Sequence, residues 1–534
     1  MAKYIFVTGG VVSGLGKGAT VGSLGRLLKS RGLKVAIQKL EPYINVDPGT
    51  MDPYEHGEVF VTDDGAETDQ DIGTYERFTD ENMSELSNLT CGKVYFDVIT
   101  KERSHGYKGK TVQVIPHITD GIKNFIYSTA ESTGADVLIS EIGGTTGDIE
   151  GQPFIEAIRQ ISLESGRENC LFIHVLLVPY LKFTGEHKSK PAQHSVHGLQ
   201  GMGISPDIII TRSDEKLDRE LINKLSLFCN VKPDCVIENL TLGCLYEIPL
   251  MLHENGLDTI VCRELNLKTS EPDLDGWRNL VKRMKSTDGN KNIKIAVVGK
   301  YVRLRDAYHS LSEAVSHAGF AMGANITIEW IDSEKDINDK NASQILKDIH
   351  GIIVPSGFGS RGISGKLAAC RYARENNVPY LGLGLGMQVA AIEFARNVCG
   401  LADADSFEFN KTAEHIVINS TQKKKNIKEI DLPMRKGTYP CKIKSGTLMS
   451  RIYNSEEISE RHRHRYEVDN NYRGIFEENG FIFSGTSPDG LLCEAAEIPA
   501  NDFFAGVMFH PEFKSRPNKA HPLFLEFIRA ALNK

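Results

Sequence analysis

Tyr4-Ile5-Phe6-Val7-Thr8 runs straight into Gly9-Gly10-Val11-Val12-Ser13-Gly14-Leu15-Gly16-Lys17-Gly18. An apolar run that empties into a glycine loop and then a helix predicts a buried strand whose exit aims backbone N–H groups and a helix N-terminus at one anion. Lys17 supplies a point charge for the outer phosphates. Five residues separate Gly10 from Gly16 where the ordinary phosphate loop has four, and Gly18 stands where a Ser or Thr would meet magnesium. A metal at this loop therefore needs ligands from elsewhere in the chain.

Beyond it, the apolar runs Lys34–Gln38, Val137–Ser140, Leu171–Val178 and Asp207–Thr211 alternate with helical patterns, as successive βαβ units of a largely parallel sheet do. The pattern breaks over Ser270–Asn292, where polar stretches flank one short helix, and resumes at Ile293–Val298, Gly351–Val354, Val378–Gly382 and Gly506–His510. The expectation is an α/β chain with one domain at 1–268, a linker at 269–292 and a second domain at 293–534. Its 534 residues exceed what a single core usually organises. A net charge of −8 with acids and bases interspersed gives no basic stripe, which argues against a nucleic-acid polymer as partner. No apolar run approaches the ~20 residues of a membrane span, and no signal-peptide pattern opens the chain, so a cytoplasmic location is expected. The ten cysteines form no CxxC pair and read as reduced thiols.

Four blocks carry more specialised residues than loops need: Lys39–Met51, His56–Val61, Asp63–Asp71 and Glu141–Glu150. Together they resemble the CTP synthase family, and the resemblance runs the length of the chain. It implies an N-terminal P-loop-like, Rossmann-type amidoligase domain in which ATP phosphorylates O4 of the uracil of UTP and ammonia displaces the phosphate. Such transfer depends on positioning and charge neutralisation. By resemblance, Ser13, Gly14, Leu15, Gly16, Lys17, Gly18, Ala19, Asp71 and Arg212 meet ATP, and Lys17 and Lys39 neutralise the transferring phosphoryl group. Asp71 and Glu141 are the implied magnesium ligands, a hard ion suited to carboxylates and phosphate oxygens. Asp63, Asp64, Glu67 and Asp69 read as structural or solvated acids. The UTP side, where product CTP also inhibits, resembles the family at Ser13, Asp148, Ile149, Glu150, Lys188, Ser189, Lys190, Pro191, Ala192, Gln193 and Lys224. Sharing of that pocket between subunits implies a homotetramer, with filaments an open question. His117 fits either a satisfied structural histidine or a residue of an ammonia channel.

The second domain resembles a class I glutamine amidotransferase α/β domain whose nucleophile elbow is altered. That family sets a cysteine between glycines on a strand-to-helix turn, whereas this chain reads Tyr380-Leu381-Gly382-Leu383-Gly384-Leu385-Gly386-Met387-Gln388, with Gly384 at the nucleophile position. The remaining partners are kept as His510, the base, and Glu512, its orienter. Cys370 and Cys399 lie off the elbow, too far for a reaction that needs ~3 to 3.5 Å approach. Ser356 puts a side chain beside Gly357, whose vicinity should stabilise the oxyanion, a contact worth about 3 to 4 kcal/mol. Gln388, Glu408 and Arg465 are the other remnants of the glutamine pocket, and Arg461–Val468 braces it. GTP, the family's effector of glutamine hydrolysis, has no evident task here.

Three readings stay open on these residues: a CTP synthase fed by free ammonia, a relative that takes another amine to give an N4-substituted cytidine nucleotide, and a non-catalytic regulatory or filament-forming paralogue. The intact Lys17, Lys39, Asp71 and Glu141 argue against the third.

Overall fold

The computed structural model describes residues 2–286, 291–420 and 434–534. The chain forms two units, one of residues up to Thr50 with Asp71–Lys282, the other of Met51–Gln70 with Arg283–Lys534. The excursion 51–70 thus belongs with the C-terminal half. Part of the polar stretch expected as linker, 287–290, lies outside the described residues.

In the N-terminal unit, Lys3–Gly9 is the middle strand of a seven-stranded sheet, flanked by Val137–Ile142 and Cys170–Leu177. Beyond Val137–Ile142 lie Val35–Glu41 and Asn88–Thr90, and beyond Cys170–Leu177 lie Ile208–Ser213 and Val236–Leu240. Every pairing is parallel. Ile5 and Phe6 are wholly buried, which is why this strand reads as a continuous apolar run and not as an alternating one. Connections leave it toward both edges, so the crevice at the carboxyl ends of Lys3–Gly9 and its neighbours is the switch point where open α/β sheets bind ligands. The helix inside the expected linker, Asp275–Lys285, docks in its first turns: Trp277 donates to the Tyr246 carbonyl at 2.7 Å and lies under the Arg26 guanidinium.

The C-terminal unit holds a nine-stranded sheet. Asn325–Asp332, Asn292–Gly299, Gly351–Val354, Tyr380–Leu383 and Phe504–Val507 form its parallel part. An antiparallel wing of Cys493–Glu497, Ile482–Thr486, Arg435–Ile443 and Glu457–His464 continues it. The last parallel strand ends at Val507, earlier than expected, so the chain turns before His510 and the histidine stands at the strand's exit. Two apolar clusters cover the two faces, one around Tyr380, Met387 and Phe394, the other around Leu381, Phe509 and Phe527. Among the described residues no helix is long and apolar enough to cross a membrane.

Candidate functional site

Two sites emerge, one at the carboxyl edge of each parallel sheet. In the N-terminal unit the loop after Lys3–Gly9 passes through positive φ at Val11, Gly14 and Gly16 before the helix Lys17–Ser30 begins. That helix has no acid in its first turn and no side chain capping it, so its N-terminal amides are left to an outside anion. Ser13 and Gly14 are exposed, Leu15 is buried beneath them, and Ala19 lies half-buried in the first turn. The Lys17 ammonium donates to the Gly144 carbonyl. Burial lowers its pKa, with Lys39 adding to the effect and Glu141, Glu41 and Asp71 opposing it.

Lys39 and Glu141 sit opposite each other in register on adjacent strands. Lys39 pairs with Asp71 and, at 3.0 Å, with Glu41. The Tyr75 hydroxyl donates to Glu141 Oε2 at 2.5 Å. Burial pushes the Glu141 pKa up, Asp71 adds to this, and Lys39 and Lys17 pull against it. A Cβ built on Gly18 would fall under 3.0 Å from the Asp71 carboxylate. The acid therefore fills the space where a phosphate-loop hydroxyl would stand, and the glycine is what admits it. Two carboxylates beside a phosphate cradle suit magnesium, which takes few protein ligands and completes its shell with water and phosphate oxygens. Tyr75 went unread in the sequence, although it lies four residues after Asp71 on the same helix, Gln70–Thr79, and hence on the same face.

Of the other expected nucleotide residues, Arg212 donates to the Asn239 carbonyl at 3.4 Å. Asp148 accepts from the Thr145 amide, and Ile149 and Glu150 follow it on an exposed turn. Ser189 precedes the helix Lys190–Gly201, whose first residues include Pro191, the buried Ala192 and Gln193, which donates to Ser189 at 3.1 Å. Lys188 pairs with Glu186, and Lys224, from the exposed face of Arg219–Cys229, helps both to hold the Glu186 pKa down after the Lys188 hydrogen bond. His117 accepts from the Gln113 amide at 3.0 Å and meets the Tyr107 ring edge-on.

In the C-terminal unit, Gly384 links the strand Tyr380–Leu383 to the helix Leu385–Asn397 with φ 51° and ψ −105°. The strained elbow is intact without its side chain. A Cβ built there would fall under 3.0 Å from Ser356 Oγ and 3.3 Å from Ser356 Cβ. Ser356, on the loop after Gly351–Val354, thus occupies the space that a side chain at position 384 would need. His510 Nδ1 and Glu512 Oε1 are 2.7 Å apart, and His510 Nε2 lies 3.4 Å from Ser356 Oγ. Gln388 donates to the Tyr466 carbonyl at 3.2 Å. The Gly359 amide donates to Glu408 at 2.6 Å, and Lys300 donates to the Phe358 carbonyl, so the loop around Gly357 is held from two sides. Arg465 and Arg463 lie over the Phe358 ring. Cys370 is wholly buried, and burial raises the Cys399 thiol to about 11.

The acids of the 51–70 excursion brace this unit. Asp63 accepts from the fully buried Arg461 at 2.6 Å, and Glu67 pairs with Arg463 and Lys436, both at 2.8 Å. Burial works against the Glu67 carboxylate, yet Arg463 and Lys436 hold its pKa below the ordinary value.

A parallel sheet with a phosphate loop at its switch point, in one chain with an amidotransferase elbow, defines an ATP-dependent ligase coupled to a glutaminase fold. The family profile described as CTP synthase N-terminus matches residues 3–267, and that described as glutamine amidotransferase class-I matches 303–530. The chain is 56% identical over 534 residues to a CTP synthase of Staphylococcus saprophyticus, covering 100% of this chain and 99% of that one. It is 55% identical over 532 residues to one of Geobacillus kaustophilus, covering 100% of both. The solved glutaminase domain of Trypanosoma brucei CTPS with bound acivicin is 39% identical, with 45% of this chain and 94% of that one covered and a TM-score of 0.43. The chain belongs to the CTP synthase family, ligases that use ATP and magnesium to aminate UTP.

Proposed function

We propose that this chain converts UTP to CTP through a 4-phosphorylated intermediate and takes free ammonia as its nitrogen donor. The observation that carries the reading is the contrast between a complete set of charges at Lys17, Lys39, Asp71 and Glu141 and an elbow with no thiol at Gly384.

The chemistry is leaving-group activation. Lys17 and the amides of the loop and helix hold the ATP phosphates. Lys39, at the carboxyl end of its strand, neutralises charge on the phosphoryl group as it passes to O4 of the pyrimidine. Asp71 and Glu141 are the residues that would hold magnesium, which when bound supplies further neutralisation of the phosphate oxygens. Tyr75 keeps Glu141 oriented toward the loop. Once O4 carries phosphate, nitrogen addition at C4 expels a good leaving group in place of a poor one. Ser13, Asp148–Glu150, Lys188–Gln193 and Lys224 form the proposed UTP and CTP site. Homotetramer assembly, with CTP as feedback inhibitor, belongs to the same proposal and is supported by large apolar side chains left exposed on the N-terminal unit, among them Ile44, Phe96, Ile149 and Phe183.

The test is CTP formation from UTP, ATP and magnesium with 15N-ammonium in the presence of unlabelled glutamine. Nucleotide carrying 15N at N4 in proportion to the ammonium label supports the proposal. Unlabelled CTP, or an N4-substituted product when another amine is supplied in place of ammonium, would replace free ammonia with a different donor.

A further inference from the structure

We propose that Ser356, His510 and Glu512 form a serine-based acyl-transfer triad that acts on γ-esters of glutamate and, far more slowly, on the γ-amide. The glutamyl part of this assignment rests on family membership, and the triad rests on geometry alone.

His510 is almost wholly buried, and three contacts fix it. Its backbone amide donates to the Arg461 carbonyl at 2.7 Å. The Phe513 ring stacks on the imidazole with centroids 4.9 Å apart and planes within 4°. Glu512 can only accept at Nδ1 when ionised, so the proton sits on Nδ1 and the Nε2 lone pair faces Ser356 Oγ, 3.4 Å away. Nucleophile–base distances in unliganded sites are commonly that loose and tighten with substrate. Ser356 is half-buried and hence reachable, and the absence of a side chain at Gly384 is what leaves its hydroxyl room. Directly beyond Gly384, the 13-residue helix Leu385–Asn397 begins without a side-chain cap. The amides of Leu385 and Gly386 have no partner within that helix and can receive an oxyanion.

The step balances without any further reagent. Ser356 Oγ forms a bond to the γ-carbonyl carbon as its proton passes to His510 Nε2. The carbonyl π pair moves to the oxygen facing the helix amides. The bond to the leaving alcohol then breaks, and the alcohol takes the proton from Nε2. Water repeats the sequence on the acyl-serine and releases glutamate and the free hydroxyl. An amine leaves less readily than an alcohol and depends more on a complete oxyanion hole. Here the loop that should have lent an oxyanion amide carries the nucleophile instead, and losing one such donor costs about 10²- to 10³-fold in rate.

The experiment uses the full chain. Hydrolysis of L-glutamate γ-benzyl ester is followed by benzyl alcohol release, and a fluorophosphonate probe is mapped by peptide mass spectrometry. The expected result is an adduct on Ser356 together with a measurable rate of ester hydrolysis. That rate should fall at least about 100-fold in Ser356→Ala and in His510→Gln. Ser356→Cys should shift labelling to iodoacetamide at the same residue. An adduct elsewhere, or undiminished hydrolysis in Ser356→Ala, overturns the proposal. The adduct map needs no variant, so it decides the matter even where a substitution prevents folding. Ammonium-driven CTP formation in the same preparation separates the two readings. CTP without an adduct removes the triad only, and an adduct without CTP removes the proposed function only.

Discussion

Gly18 and Gly384 are glycines at two places where related folds carry a working side chain, and in both the vacated space is taken by a polar group from another segment. At Gly18 the newcomer is the Asp71 carboxylate, and at Gly384 it is the Ser356 hydroxyl. The outcomes differ because the chemistries differ. Holding a cation beside phosphates needs a hard oxygen of either hydroxyl or carboxylate type, so a carboxylate arriving from the helix Gln70–Thr79 serves as well or better. Hydrolysing an amide through a covalent intermediate needs a strong nucleophile on a strained turn, and a neutral hydroxyl from a neighbouring loop is a poor substitute for a thiolate. On the proposed function, equivalent steric exchanges leave one site's electrostatics whole and change the other's reaction.

The largest test of this comparison is Asp71→Asn, which keeps the shape and removes the charge. Ammonium-dependent CTP formation should fall by about 10³-fold, measured as kcat at saturating nucleotide. Next is Gly18→Ser, which restores the hydroxyl of an ordinary phosphate loop. Its Cβ would displace the Asp71 carboxylate, so a loss of about 10²-fold is expected instead of a gain. At the elbow the sign reverses. Gly384→Cys alone places a side chain against Ser356 Oγ and Cβ, whereas Gly384→Cys with Ser356→Gly removes the conflict. Glutaminase activity in the pair should exceed either single variant by about 100-fold, a non-additivity expected of contacting residues. Asp63→Ala leaves the buried Arg461 short of a partner and should destabilise the C-terminal unit by about 2 kcal/mol in chemical denaturation, without touching the N-terminal site.

The smallest effect is one of pH. Burial raises the Glu141 carboxyl from 4.5 to about 7 in the folded chain. A group raised in this way contributes stability that is complete below its unfolded pKa and is lost as pH rises through the folded one. The stability of the nucleotide-free protein relative to Glu141→Gln should therefore decline between pH 4.5 and 7, read as the difference in unfolding midpoints. Saturating magnesium and ATP should shift that decline to lower pH, because ligands that prefer the ionised carboxylate pull its pKa down.

The inner parallel strands were legible because burial on both faces writes them as continuous apolar runs, as at Ile5–Val7 and Ile295–Val298, whereas the edge strands Asn88–Thr90, Val236–Leu240 and Asn325–Asp332 went unread. The antiparallel wing was not. Arg435–Ile443 and Glu457–His464 bury polar groups in place of hydrocarbon, with Arg435 on Glu494, Arg461 on Asp63, and the imidazoles of His462 and His464 against each other. No period-2 apolar pattern survives such pairing. The acids of 51–70 were readable only as structural or solvated, because their partners at 436, 461 and 463 lie hundreds of residues on, and sequence gives no distance between them. That Gly384 stands where the amidotransferase resemblance expects a cysteine was readable from the residues around it. That Ser356 stands in its place before His510 depends on two loops converging, and no spacing in the chain encodes it.

The most direct test of the account is the initial rate of CTP formation from UTP and ATP with ammonium chloride against the same reaction with glutamine, every nucleotide product being identified by mass. Formation should be steady with ammonium and, with glutamine, less than about 1% of that rate, as an amide poorly served by a serine hydroxyl requires. Equal rates with glutamine, or UTP-dependent ATP hydrolysis that yields no CTP with ammonium, would contradict it.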